Sequence, residues 1–146
     1  MSNHKSINGI LVSLFNNILE IEEDCVCSKE YEDLSINEMH VIENIGINRE
    51  RTMSDTAKDL RITSGTLTTA VNNLIKKGYV DRRRSEEDRR VVYIKLTQKG
   101  TEAYRFHESF HEDLVFSAVE HLDEERQLLL IDVLTDIDKH FKSRRK

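Results

Sequence analysis

The sequence predicts a mostly α-helical protein with one small two-stranded β-hairpin, and three observations carry that expectation. The 146 residues include no proline and only five glycines, so long helices meet few breakers. Apolar residues recur at three- and four-residue steps over most of the chain, the signature of helices with one buried face. The stretch 79–96 instead is rich in β-branched and aromatic residues, and Val92, Ile94 and Leu96 alternate along its second half. A chain of this length fits one compact domain able to bury a core.

Taken in order, Ile7, Ile10, Leu11, Leu14, Phe15, Ile18, Leu19 and Ile21 form a wide apolar face on a first helix from about Lys5 to Cys27. A stripe that wide has to be covered on two sides, by the protein's own core or by a second subunit. Ser35-Ile36-Asn37-Glu38 is a capping-box pattern opening a helix that carries Met39, Val41, Ile42 and Ile45 and ends near Gly46. Another start at Thr52-Met53-Ser54-Asp55 leads into Thr56–Leu60, where small Ala57 allows a second helix to approach closely. Arg61-Ile62-Thr63 is the turn into that second helix, although it lacks the glycine such turns often carry.

The next helix starts at a cap on Thr63 or Ser64 and buries Leu67, Ala70, Val71, Leu74 and Ile75 on one face. Lys76 and Lys77 suit the negative end of its dipole, and Gly78 stops it. Its outer face keeps Ser64, Thr66, Thr68, Thr69, Asn72, Asn73 and Lys76: short groups that donate and accept, with one cation, which suits base edges and phosphates. Tyr79–Arg84 and Arg90–Leu96 then read as the two strands of a hairpin around the polar Ser85-Glu86-Glu87-Asp88. Helix, turn, helix and basic hairpin make a winged helix-turn-helix whose wing presents Arg82, Arg84, Asp88, Arg89 and Arg90. Residues 61–95 hold nine Lys/Arg and four Asp/Glu, so a local charge of +5 sits in a chain whose total is -5. An acidic protein can therefore bind double-stranded operator DNA through this element.

Two further helices follow. From Thr97 to His121, Tyr104, His107, Phe110, Leu114, Val115 and Ala118 recur at helical spacing, and from Asp123 to about Phe141 so do Leu130, Ile131, Leu134, Ile137 and Phe141. Lys142–Lys146 reads as a frayed basic tail. The expected organisation is a DNA-binding lobe over 35–100 and a helical dimerisation region from 1–34 and 101–146. No apolar run approaches the ~18 residues of a membrane span and the N-terminus lacks a basic-then-apolar leader, so a cytoplasmic protein with no membrane partner is expected. Cys25 and Cys27 would point about 200° apart on a helix, which disfavours a disulfide between them. They read as ordinary reduced cysteines, with a redox-sensing or metal-ligating role for one as the alternative.

This arrangement resembles the MarR family of bacterial transcription regulators. The most specific match is Asp88-Arg89-Arg90, then after five residues Leu96-Thr97, then Gly100, which follows that family's wing pattern. The resemblance implies a triangular helical homodimer with two winged lobes, Arg90 as the wing arginine entering the minor groove and Asp88 as the carboxylate that orients it. Within the family, the blocks Leu14–Glu23, Ser35–His40, Gly65–Thr69, Asn72–Leu74, Arg84–Val92 and Phe106-His107 with Phe110-His111 are similar to repressors of fatty-acid synthesis genes. That likeness implies a co-repressor: acyl carrier protein bearing a long acyl chain. A ligand between helical base and lobe would lie nearest Ile10, Leu14, Phe15, Met39, Ile42, Phe106 and Phe110, with His40 and His107 as polar companions. The plain alternative is that all of these are core.

His107 and His111 stand at i and i+4, a spacing that lets two imidazoles face one metal ion. His40, His107 and His111 with a carboxylate from Glu22 or Glu23 therefore make a rival, zinc-responsive reading. Histidines of an effector pocket and plain structural histidines are the other two. No cofactor is expected. Enzymatic chemistry has little to rest on, since no phosphate-binding glycine loop or nucleophile elbow is present. Glu86-Glu87-Asp88 suggests catalysis only out of context, because at the tip of a basic hairpin it is a solvated turn.

Overall fold

The structure, a computed structural model, describes residues 3–26 and 30–145. Cys27, and Lys146 of the basic tail, lie outside the described residues. The chain divides into two compact units, Met1–Glu108 and Ser109–Lys146. Elements run α1 (Asn3–Val26), α2 (Ile36–Ile45), β1 (Arg51–Thr52), α3 (Met53–Leu60), α4 (Ser64–Lys76), β2 (Val80–Arg84), β3 (Val92–Leu96), α5 (Gln98–Val119) and α6 (Glu124–Arg144).

Local sequence sets most helix boundaries in the first unit. Ser35 Oγ accepts from the Glu38 N–H at 3.2 Å while the Glu38 carboxylate accepts from the Ser35 N–H at 3.1 Å, closing the capping box of α2. Thr52 caps α3 by accepting from the Asp55 N–H, and Thr63 caps α4 by accepting from the Thr66 N–H. Between α3 and α4 the left-handed position that a glycine often fills is taken by Arg61, at φ 55°. Its backbone N–H still bonds the carbonyls at the end of α3, so the missing glycine costs only the modest strain of a left-handed non-glycine residue, about 1 kcal/mol.

The sheet departs from the two-stranded expectation. It has three antiparallel strands in the order β1-β3-β2, with Arg51 opposite Ile94 and Thr52 opposite Tyr93. A two-residue strand offers no alternation to read, and only its pairing with β3 defines it. The hairpin register, from Val80 opposite Leu96 to Arg84 opposite Val92, puts Val80, Arg82 and Arg84 on one face with Val92, Ile94 and Leu96. Asp81 and Arg83 share the other face with Tyr93 and Lys95. The core lies between the first face and the helices: Met39, Ile42, Ile45, Leu67, Val71, Leu74, Tyr79 and Ile94 are essentially without solvent exposure.

Gly100, at the start of α5, sits against the Tyr79 backbone; a Cβ there would lie 2.1 Å from the Tyr79 carbonyl oxygen. That oxygen also accepts from the Thr97 N–H at 3.0 Å, while Thr97 Oγ1 bonds the Gly78 carbonyl and the Gly100 N–H. The Leu-Thr-x-x-Gly run is thus a close joint between the sheet and α5.

In the second unit, Asp123 caps α6 by accepting from the Arg126 N–H at 2.9 Å. The α6 helix extends to Arg144, so Lys142, Ser143 and Arg144 are helical rather than the frayed tail expected from composition. An i,i+4 pair between Lys142 and Asp138 at 2.6 Å and two cations in the last turn suit that extension. None of α6 is buried, and Leu128, Leu129, Ile131 and Phe141 are exposed along it. No helix among the described residues is long and apolar enough to cross a membrane.

Candidate nucleic-acid interface

At 100° per residue, burial of Leu67, Val71 and Leu74 fixes the orientation of α4 and sorts its polar residues into three groups. Ser64, Thr68 and Asn72, four residues apart, turn toward the wing. Ser64 shares a cleft with Arg90, Val91 and Val92, Thr68 shares one with Arg84 and Val92, and Asn72 Oδ1 accepts from Arg82 Nη1 at 2.8 Å. Thr69, Asn73 and Lys76 are exposed on the outward face. Thr66 turns the other way, into a groove with Asn37, His40, Leu60 and Ile62, and its hydroxyl lies 2.9 Å from that of Thr63. The seven residues expected on one outer face therefore divide between wing, solvent and α2.

Two of the threonines have a fixed polarity. Thr68 Oγ1 donates to the Ser64 carbonyl at 2.7 Å and Thr69 Oγ1 to the Gly65 carbonyl at 3.1 Å. With the proton engaged, each presents lone pairs and a methyl group, which match an amino donor on a base or a thymine methyl better than a phosphate oxygen.

The wing tip is organised around Asp88. Its Oδ1 accepts from the Arg90 backbone N–H and Nε, and its Oδ2 from Nη2, each at 3.1 Å. The Arg90 side chain beyond this clasp is 91% exposed, a cation held at one base and free at its surroundings. The same bonds, the side-chain ones first, hold the Asp88 carboxyl below the usual carboxylate range. Arg89 is exposed beside it, and Arg82 and Arg84 project from the α4 side of β2. Arg83, on the opposite face, pairs with Glu50 at 2.9 Å and lies over the Tyr93 ring at 4.5 Å.

Away from this surface, α1, α2 and α5 bring together a buried polar cluster. Glu22 and His107 are buried, with His107 Nε2 3.0 Å from Glu22 Oε1 and 3.2 Å from Glu43 Oε1. His40 Nε2 lies 3.4 Å from the same Glu22 oxygen. Glu43 belongs to no motif in the sequence, yet it follows His40 by three residues on α2 and so shares its face. His111 is half-buried one turn beyond His107 on α5. Burial, then the Glu22 charge, raises the Cys25 thiol pKa, which fits an unreactive thiol rather than a sensor. Among the residues expected around an effector, Met39 and Ile42 are fully buried in the lobe core, Phe106 packs at 4.9 Å against Tyr31, and Phe110 is half-buried. Ile10, Leu14 and Phe15 are exposed on α1.

A three-helix lobe with a basic wing, a polar helix beside it and an exposed wing arginine held by Asp88 defines a winged-helix DNA-binding protein. Residues 26–105 match the family of SarA/Rot transcriptional regulators. The fold and sequence are similar to Streptococcus pneumoniae FabT, solved in complex with DNA: 41% identity, 96% of this chain and 98% of that one covered, TM-score 0.89. A MarR-like transcription regulator from Bacillus cereus shares the fold at TM-score 0.73 with 20% identity, over 96% of this chain and 99% of that one. The regulator BilQ of Clostridium symbiosum is 28% identical over 110 residues, which cover 73% of this chain and 76% of BilQ. The chain belongs to the SarA/Rot family and is a DNA-binding transcriptional regulator of the MarR-like winged-helix type.

Proposed function

We propose that this regulator is a homodimeric repressor of fatty-acid synthesis genes whose co-repressor is acyl carrier protein bearing a long acyl chain. The observation that carries the reading is the likeness to FabT over nearly the full length of both chains, at 41% identity. The docking surface is the wing-facing and outward rows of α4 together with Arg82, Arg84, Arg89 and the Asp88-held Arg90. Exposed apolar residues on α1 and, separately, on α6 supply the dimer contact, since large apolar side chains left in water along a helix mark an interaction face.

Two lobes on one base must present their recognition helices to successive major grooves, about 34 Å apart. A ligand that binds the DNA-competent spacing more tightly raises operator affinity, and operator raises ligand affinity by the same factor. In this reading Leu14 and Phe15 form part of the acyl site, with the partner subunit or the carried chain covering their exposed faces.

A second reading, a divalent-metal-responsive repressor, is favoured by the polar cluster. Glu22, His40 and Glu43 each offer one ligand atom within 4.8 Å of the others. His107 adjoins this set, 3.0 Å from Glu22 and 3.2 Å from Glu43, while His40 lies 3.4 Å from Glu22. One imidazole and two carboxylates are donors of the kind zinc accepts.

The deciding experiment is a gel shift on the promoter beside the gene, with long-chain acyl carrier protein, with zinc, and with a chelator. The first reading requires enhancement by the acylated carrier that the chelator does not remove and that Leu14→Trp abolishes without changing basal binding. Enhancement by zinc alone, lost in His107→Ala, selects the second.

A further inference from the structure

We infer that Asn72 is a positioning residue: it aims Arg82 from the recognition helix, and Arg82 with Arg84 grips one backbone phosphate in the seam between α4 and the wing. The inference rests on the DNA-docking surface proposed above and is independent of whether the effector is an acyl chain or a metal.

Three consecutive arginines leave β2, and strand alternation gives them different fates. Arg83 faces away from α4, where Glu50 balances its charge and the Tyr93 ring covers its guanidinium. Arg82 and Arg84 share the α4 face. They line a cleft of about 350 Å³ with Thr68 and Val92, and Arg83 between them contributes to its wall although its guanidinium is held by Glu50 and Tyr93. The Asn72 amide oxygen accepts one Arg82 N–H at 2.8 Å, which fixes the plane of a guanidinium that otherwise samples many rotamers. A guanidinium has five N–H donors, so one bond to Asn72 leaves a fork for a phosphate. With one lone pair of its oxygen and the plane of its amide committed to Arg82, Asn72 is better set to aim that arginine than to turn flat against an adenine edge. Asn72 therefore acts through Arg82, on a part of DNA that carries no base sequence.

The test uses the full-length protein and measures affinity for a promoter duplex and for a scrambled duplex of equal length, across a salt series. Arg82→Ala is expected to weaken both duplexes alike, roughly tenfold, the worth of one charge-assisted hydrogen bond, and to lower the salt slope by about one. Asn72→Ala should do the same more weakly, and in the Arg82→Ala background should cost nothing further. Arg83→Ala should leave both affinities within about twofold. Loss confined to the promoter duplex in Asn72→Ala, additive with Arg82→Ala, would make Asn72 a base reader and overturn the inference. An Arg83→Ala loss as large as that of Arg82→Ala would overturn the sorting of the arginines. Arg90→Ala separates the levels: if it weakens binding while Asn72 and Arg82 do not couple, this inference alone fails; if none of the three matters, the proposed docking surface fails with it.

Discussion

In the winged-helix lobe Met39, Ile42, Leu67, Val71, Leu74 and Ile94 have no exposed surface, whereas α6 contains no buried residue and leaves Leu128, Leu129 and Ile131 about 60% exposed. The two regions have similar apolar patterns in sequence but opposite outcomes in the single chain. The lobe closes its core from helices and a sheet contributed by neighbouring stretches of the same chain. The terminal helices α1 and α6 carry apolar stripes that nothing in their own unit covers, which is what the proposed dimer contact draws on.

The contrast is broken most strongly at α6. Leu134→Asp with Ile137→Asp places two carboxylates on the proposed contact, each costing several kcal/mol if desolvated. Light scattering should report monomers while circular dichroism stays helical, and a folded dimer would end the assignment of this face. In the lobe the same kind of damage acts on stability instead. Leu74→Ala, at a position with 0% exposure, should lower unfolding free energy by about 2 to 5 kcal/mol in a denaturant titration. Gly100→Ala drives a methyl into the Tyr79 carbonyl and should cost about 1 to 3 kcal/mol, read as a lower melting temperature.

At the interface the fold should be untouched. Arg90→Ala should weaken promoter binding by about 1 to 3 kcal/mol, and Asp88→Ala by less, since it releases the arginine without removing it. The smallest effect is electrostatic. Because Arg90 holds the Asp88 carboxyl low, the clasp is fully formed above the ordinary aspartate value of about 3.9 and is lost only as pH falls through the depressed one. Titration of the Asp88 carbon resonance should give a midpoint below that value in the native protein and a return toward it in Arg90→Ala.

What could be read from residues was local. Ser35 and Thr52 announce their helices, and the Thr63-Ser64 pair narrows the next start to two residues of which Thr63 is the cap, because a cap bonds a backbone N–H two or three residues on. The hairpin is legible from its β-branched alternation. The long-range partners were not: Arg82 meets Asn72 across the seam, Lys77 meets Glu38 at 2.7 Å across 39 residues, and His107 meets Glu22 across 85. No periodicity links such pairs, and only the packing of α1, α2, α4 and α5 brings them together. The same limit hides β1, and helical periodicity alone gives seven residues of α4 one polar face where neighbouring elements divide them among three surroundings.

Thr52 has two duties that are seldom combined in one residue. It pairs with Tyr93 as the last position of β1, and its hydroxyl and carbonyl hold the first turn of α3 through Asp55 and Thr56. No slack chain separates the sheet from the helix-turn-helix, so tilting the wing drags the start of α3 with it. The lobe consequently meets a duplex as a single tool, with blade and handle forged together. At this joint, at least, the strand and the helix start share one residue, so a change at Thr52 reaches blade and handle together.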